Sequence, residues 1–338
     1  MKIGVSLLGL AQQPRGEDMR KRLDEMVAWV NAVRDAGFDY ITTGQHYLAA
    51  PLISLQPVPL LARLAPESGD MGLVATLIGP LHNPVDLAET WATLDLITGG
   101  RVTLCFALGY RDVEYAAFGV DPAKRVTELR SVVETLRALW TGDKVTATGP
   151  RFALEDAECT SRPIQQPHPP IWIAANADAA IVRAARWNLP WNINAHNRFA
   201  VVERQVKLYR DTAHEVGRTD TPTFPMSREM YCGSTREEAF AIAKPYLAGK
   251  YQAYDVWGQD KAMPDNEEFA IPFEQLAVDR FVLGDADDCL REIERYRVLG
   301  VDRLHLRMNW PGMPLDVALD GMQRFAEQVL PRLRLREA

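Results

Sequence analysis

Residues 79–119 read GPLHNPVDLAETWATLDLITGGRVTLCFALGYRDVEYAAFG, and the reading of this stretch decides the fold. Pro84 suits the first turn of a helix, where a missing N–H costs least, and Leu87, Trp91, Leu94 and Leu96 follow as an apolar stripe. The pattern predicts a helix over Val85–Ile97. Thr98-Gly99-Gly100 stops it, because glycine accepts the left-handed conformation of a helix C-cap. Val102, Leu104, Phe106 and Leu108 then form a run apolar enough for a buried parallel strand. The turn Gly109-Tyr110 places Arg111, Asp112, Glu114 and Tyr115 in a loop at the carboxyl end of that strand, where α/β folds put their chemistry.

The same unit recurs on both sides. Ile3–Leu8 reads as a strand and Met19–Val33 as its helix; Tyr40–Thr43 is a second strand, delivering Gly44-Gln45-His46-Tyr47 at its end. Pro57–Leu64 reads as a helix and Gly72–Ile78 as the third strand. Beyond residue 119, a long helix ends near Thr141 and Val145–Leu154 suggests a small hairpin. Ile171–Ala175 is the fifth strand, with Asp178 as N-cap of a helix over Ala179–Trp187. Pro190–Asn194, Phe199–Val216 and Pro225–Cys232 continue the alternation, and Ser234-x-x-Glu237 has the spacing of a capping box. Gly249–Arg280 lacks any sustained period and reads as an inserted active-site lid. A helix over Asp285–Leu299, a strand over Val301–Leu306 and a closing helix over Pro314–Leu333 complete the chain. Eight strands alternating with eight helices predict one (β/α)8 TIM barrel over residues 1–338, with the insertion at 249–280 after strand seven.

Composition narrows the function. The 338 residues carry 38 Lys+Arg against 45 Asp+Glu, a net charge of −7, and no basic patch of the kind that nucleic acid or an anionic membrane demands. No apolar run reaches the ~20 residues of a bilayer span and no signal peptide opens the chain, so a cytoplasmic protein is expected. Cys105, Cys159, Cys232 and Cys289 lack metal-site or disulfide spacing, and no metal is expected at the histidines.

His46 is the first catalytic candidate, since a histidine on a strand-end loop is poised for proton transfer near neutral pH. Tyr47 beside it, with Trp191, Asn194, Trp257 and Trp310 at strand ends or in the insertion, would wall a pocket for a small organic substrate. His82, His168 and His196 sit beside Pro or Asn in connections, where backbone bonding explains them.

The phrase LHNPVDLAETWATLDLITGGRVTLCFALGYRDVEYAAFGVD resembles the helix-strand-loop segment of the bacterial luciferase-like, flavin-dependent monooxygenase family, and weaker likeness extends from MKIGVSLL to VDRLHL. The resemblance implies reduced FMN and dioxygen acting on a small organic substrate. A separate NAD(P)H:flavin reductase would supply the FMN, because no G-x-G-x-x-G follows a strand here. A dehydrogenase using the deazaflavin coenzyme F-420 is the alternative, and a non-catalytic flavin-binding protein a third. The resemblance also implies a flavin site of Thr76, Ala107, Gly109, Tyr110, Asn176, Ala177 and Asp178, a homodimer or higher oligomer, and a cis peptide at Ala75-Thr76. Family members carry adjacent histidines after strand two, and the one with the better-known catalytic role matches Gln45, its neighbour His46. A family arginine near the phosphate matches Leu108 and the hydroxyl positions match Ala177 and Ala180, which leaves Arg111 or Arg198 to supply the cation.

Overall fold

Strands that are apolar on both faces must be covered on both, and a closed barrel ringed by helices does this. The computed structural model describes residues 1–220, 222–259, 261, 263–264 and 267–335. Its barrel strands are β1 (Lys2–Ser6), β2 (Tyr40–Gly44), β3 (Gly72–Ile78), β4 (Val102–Ala107), β5 (Ile171–Ala175), β6 (Trp191–Ile193), β7 (Pro225–Cys232) and β8 (Arg303–Arg307). All pair in parallel in chain order, and β8 returns to β1 with Leu304 beside Ile3. The chain is a (β/α)8 barrel.

Nine helices of eight or more residues surround it among the described residues: α1 (Met19–Asp35), α2 (Pro57–Leu64), α3 (Pro84–Ile97), α4 (Arg125–Thr141), α5 (Asp178–Arg186), α6 (Phe199–Glu215), α7 (Arg236–Val256), α8 (Ala286–Val298) and α9 (Leu315–Gln328). Leu87, Trp91 and Leu94 of α3 are buried in one core with Leu73, Leu77, Leu104 and Phe106 of the strands. Leu96, predicted for the same stripe, is 68% exposed, because two residues beyond Leu94 the helix has turned it away from the sheet.

Strand residues of the opposite parity face the barrel axis. Tyr40, Val74, Cys105 and Trp172 form a separate apolar cluster that plugs the lower end. Gly4 makes room for it: a Cβ there would stand 2.5 Å from the Tyr40 ring. Above the plug the inward residues turn polar, with Ser6, Thr42, Asn192 and Ser227 lining a cavity that opens at the carboxyl ends of the strands.

Four local expectations change. The segment after Tyr110 is a short helix, Asp112–Ala117, because Glu114 and Tyr115 are buried and fix its inner face. The inserted stretch is not irregular at its start: α7 runs through to Val256, with Tyr251 and Tyr254 in the core, and Phe273–Ala277 is a further turn of helix. Its residues Asp260, Ala262, Asp265 and Asn266 lie outside the described residues. The capping box is shifted by one, with Thr235 accepting from the N–H of Glu238 while Glu238 accepts from Ser234. The cis bonds among the described residues are Ala50-Pro51 and Gln166-Pro167, so Ala75-Thr76 is not one of them.

Candidate active site

The cavity at the strand ends has a volume of about 750 Å³, the size of a cofactor site. His46, Thr76, Ala107, Gly109, Tyr110, Asn176, Ala177, Asn194 and Trp257 all line it. Gly109 has φ +87°, and a Cβ there would stand 2.8 Å from Ile78 and 3.0 Å from the Tyr115 hydroxyl; only glycine lets the chain turn here.

His46 is held by a buried carboxylate. Its Nδ1 lies 3.2 Å from Oε1 of Glu114, which also accepts from the backbone N–H of Tyr47 at 2.9 Å and from Arg111 at 3.3 Å. Burial pushes the Glu114 pKa up, but His46, the Tyr47 N–H and Arg111 outweigh it and hold the carboxyl below its ordinary value. An ionised carboxylate only accepts, so Nδ1 carries a proton and Nε2 is the nitrogen free for chemistry. The Tyr110 ring stands edge-on to the imidazole at 6.0 Å, and Trp257 packs on it, tilted, at 5.7 Å.

Gln45 is a hub with no such freedom. Its Oε1 accepts from the Ile78 N–H at 3.1 Å and from His82 Nε2 at 2.9 Å, while Nε2 donates to the Tyr47 hydroxyl at 3.0 Å and to Gln56 at 3.1 Å. Burial pushes His82 down to about 4, so it serves as a neutral donor. Both donors and both lone pairs of the amide are in use.

At one end of the cavity, α5 begins with Ala177 as N-cap, whose side chain offers no oxygen to the first-turn N–H groups. Such a terminus attracts an anion through those N–H groups and the helix dipole. Asp178 follows as the first helical residue rather than the cap, and its carboxylate turns outward to Arg204 at 2.6 Å and Gln205 at 2.8 Å. That pairing, first with Arg204, lowers its pKa and screens its charge from the cavity. The cation at this end is Arg125, at the start of α4, which lines the cavity with Asn176, Ala177 and Ala180. Arg111 and Arg198 are engaged elsewhere. Arg111 donates to the carbonyls of Tyr47 and Leu48 and lies over Trp257, and Arg198 pairs with Glu267 at 3.0 Å.

Three further expected residues stand outside the cavity. Trp191 points away from the axis, donates to the Ala175 carbonyl at 2.9 Å and packs on Tyr209 and Phe224 beneath α6. Trp310 is fully buried and donates to Oε2 of Glu229 at 2.7 Å. Tyr47 packs on Phe118 at 4.5 Å, behind the wall that His46 presents.

The opposite end is built from residues that strand-end reasoning misses. Glu229 of β7 and Arg307 of β8 stand side by side in the barrel register and bond at 3.1 Å; Lys250 of α7 reaches the same carboxylate oxygen at 2.7 Å. Arg307, His196 and Tyr254 line the cavity there. Lower down, His305 bridges Ser227 and Tyr40, and burial pushes its pKa to about 3. The available signal was strand parity: Ser227 and Glu229 are polar residues two apart in the strand predicted over Pro225–Cys232. His305 and Arg307 form a like pair at the end of the strand predicted over Val301–Leu306, with Arg307 one residue past its predicted bound.

The sequence matches the luciferase-like monooxygenase family over residues 1–303. The chain belongs to that family. Its relatives include the oxygenase component of a flavin-dependent trigonelline monooxygenase from Acinetobacter baylyi, 23% identical, with 93% of this chain and 91% of that protein covered. Another is an F420-dependent glucose-6-phosphate dehydrogenase from Beutenbergia cavernae, 25% identical over 98% of this chain and 99% of that one. Among solved structures, a monooxygenase from Streptomyces bottropensis shares the fold with a TM-score of 0.83 at 23% identity, covering 98% and 100% of the two chains. Luciferase-like monooxygenases are oxidoreductases, and this chain spans nine-tenths or more of the length of each of these relatives.

A flavin, the group this family implies, fits the donors present. Tyr110, Asn192 and Thr43 are among the residues that line the cavity, and the Tyr110 hydroxyl, Asn192 Oδ1 and Thr43 Oγ1 are buried without a hydrogen-bond partner among the described residues. Each orphaned group costs about 1–3 kcal/mol of desolvation unless a ligand answers it. Among the described residues no cluster of ligands suits a metal ion, and no helix is long and apolar enough to cross a membrane.

Proposed function

We propose that the protein is the oxygenase of a two-component flavin monooxygenase, taking reduced FMN from a separate reductase and using dioxygen to oxygenate a small organic substrate. The observation that carries this reading is the pairing, in one cavity, of an uncapped helix start beside Arg125 with unpartnered polar atoms and a carboxylate-held histidine. Bound reduced flavin supplies the electrons that activate dioxygen. The α5 N-terminus, Asn176, Ala177 and Arg125 hold its phosphate, and Thr76, Ala107, Gly109 and Tyr110 line the place for its ring system. His46 Nε2 moves a proton to or from the reacting substrate, with Glu114 fixing the ring and balancing its charge. Trp257, Met263 and Asn194 exclude water and bound the substrate pocket.

The full-length likeness to an F420-dependent dehydrogenase supports a second reading, hydride transfer with a deazaflavin and no role for oxygen. One experiment separates the two: the protein is mixed with reduced FMN or with reduced deazaflavin under ¹⁸O-labelled dioxygen. Label in an organic product supports the monooxygenase; turnover with deazaflavin in the absence of oxygen overturns it.

Two assembly features belong to the same proposal. The segment Trp257–Gln259, with Lys261 and Met263, lines the cavity mouth and closes over bound ligands, so hydrogen exchange there should slow on adding flavin; unchanged exchange removes it from the mechanism. The exposed Leu96 and Ile97 on α3 pack against a second copy in a homodimer, and sedimentation showing only a 37.9 kDa species would count against this.

A further inference from the structure

Glu229 is a single carboxylate set between two cations. Lys250 and Arg307 both bond its Oε1, and Trp310 occupies its Oε2. The side chains of Glu229, Lys250 and Arg307 are 0%, 7% and 12% exposed. Glu229 is the carboxylate that acts on Lys250, and the groups acting most strongly on Arg307 are Glu229 and the tyrosines 254 and 251. His196 beside them is neutral, since burial and the surrounding cations hold its pKa well below the ordinary value. The set of Glu229, Lys250 and Arg307 therefore holds one more cation than carboxylate. Of the two other cations near His196, Arg280 is paired with Glu267 and Arg228 is bonded to backbone carbonyls on the outer side of β7; among these cations Arg307 is the one that lines the cavity.

A buried net charge is costly, and the cost is offset only when a partner of opposite sign completes the set. We propose that this partner is the substrate: the β7–β8 end of the cavity seats the carboxylate of a small monoanionic organic molecule on Arg307, beside His196 and Tyr254. The inference rests on the oxidoreductase reading above and names its substrate class. Charge matching within the set of Glu229, Lys250 and Arg307 favours a monoanion, since one carboxylate balances its one excess cation. The planar fork of Arg307 suits two carboxylate oxygens, and Tyr254 with Trp257 offers the organic body an aromatic wall. The phosphate site of the flavin is separate, since it is built from α4 and α5.

The test is calorimetric titration of the flavin-free protein with benzoate, its uncharged isostere benzamide, and phenyl phosphate. Benzoate should bind about tenfold or more tighter than benzamide, the usual worth of a hydrogen bond to a charged group, and tighter than phenyl phosphate. Arg307→Met should erase that preference. So should Lys250→Met, although Lys250 does not line the cavity, because either change leaves Glu229 with one cation and the set neutral. Both variants keep Glu229 paired and should fold, which the thermal midpoint checks; Arg307→Lys, which keeps the charge, should retain part of the preference. Arg125→Met should leave it intact. The proposal is overturned if benzoate and benzamide bind alike, if phenyl phosphate is preferred, if Arg307→Met keeps the selectivity, or if Arg125→Met removes it. FMN titration of the same variants is read independently: failure of the wild type to take up either flavin refutes the cofactor reading and leaves the benzoate result standing.

Discussion

The two ends of the cavity both attract anions, and they do so by different means. At α5 the attraction comes from backbone N–H groups and from Arg125, which is itself exposed. At β7 and β8 it comes from side chains enclosed by the barrel and by α7. An exposed charge is screened by water and salt within a Debye length of about 8 Å, whereas an enclosed one is screened much less. On the proposed reading the first end would bind and release a cofactor without affecting the fold, while the second is part of the core and its charge balance is a stability term.

The sharpest way to break this contrast is to remove a carboxylate from each end. Glu229→Gln leaves Lys250 and Arg307 buried together without a counter-ion, and should cost about 3–5 kcal/mol. The thermal midpoint should fall by roughly ten degrees. Asp178→Asn removes only a half-exposed pair with Arg204, worth about 0–1 kcal/mol, and should barely move it. Equal melting of the two variants would show that enclosure does not distinguish the ends.

Between the ends stands His46. Its replacement by Ala should lower turnover by about 100-fold, as loss of a general acid or base does, with the midpoint nearly unchanged. Glu114→Gln should lower turnover less and shift its pH profile, because the imidazole loses its carboxylate partner. A fully active His46→Ala variant, or one that fails to fold, removes His46 from the chemistry.

At the α5 end, Arg125→Met should weaken FMN binding by about tenfold while leaving riboflavin, which lacks the phosphate, unaffected. The same loss for both flavins would place Arg125 against the ring instead.

The smallest effect concerns pH. Burial pushes Lys250 down to about 8, partly offset by Glu229. Around it, Arg307 is held up despite its burial, chiefly by Glu229, and burial pushes Tyr254 to about 12 and Tyr251 well above its ordinary range. His196 stays neutral. Lys250 is thus the group of this cluster that titrates between pH 7 and 9. It is charged below its pKa, so benzoate affinity should be full at pH 7 and fall several-fold as the pH rises through about 8. A flat titration curve would show that Arg307 acts without Lys250.

The fold was legible because apolar periodicity marks both element types. Gly72–Ile78, Pro57–Leu64 and Pro225–Cys232 have the same bounds in the structure as in the sequence reading. Legibility of the site followed strand ends: His46, Tyr110 and Asn176 come within three residues after barrel strands and line the cavity. It failed inside strands. Ser227, Arg228 and Glu229 are consecutive polar residues, and only pairing in the barrel reveals that Arg228 faces outward onto Tyr296 while its neighbours face the axis. Trp191 was misplaced by the same ambiguity, since a shift of one residue reverses the side of the sheet and it is Asn192 that faces inward. Arg125 begins a helix 15 residues beyond Tyr110, and its approach to α5 depends on tertiary packing that no local pattern encodes.

The fully engaged amide of Gln45 limits how this loop can change. An imidazole offers one donor and one acceptor when neutral, so a histidine at position 45 would keep at most two of the four bonds and strand partners on β3, His82, Tyr47 or Gln56. A change to histidine at position 45 is therefore not a single mutational step. It is epistatic, requiring prior or simultaneous substitution at His82 and Gln56. A chain holding this amide together with these partners would be kept there by an evolutionary ratchet.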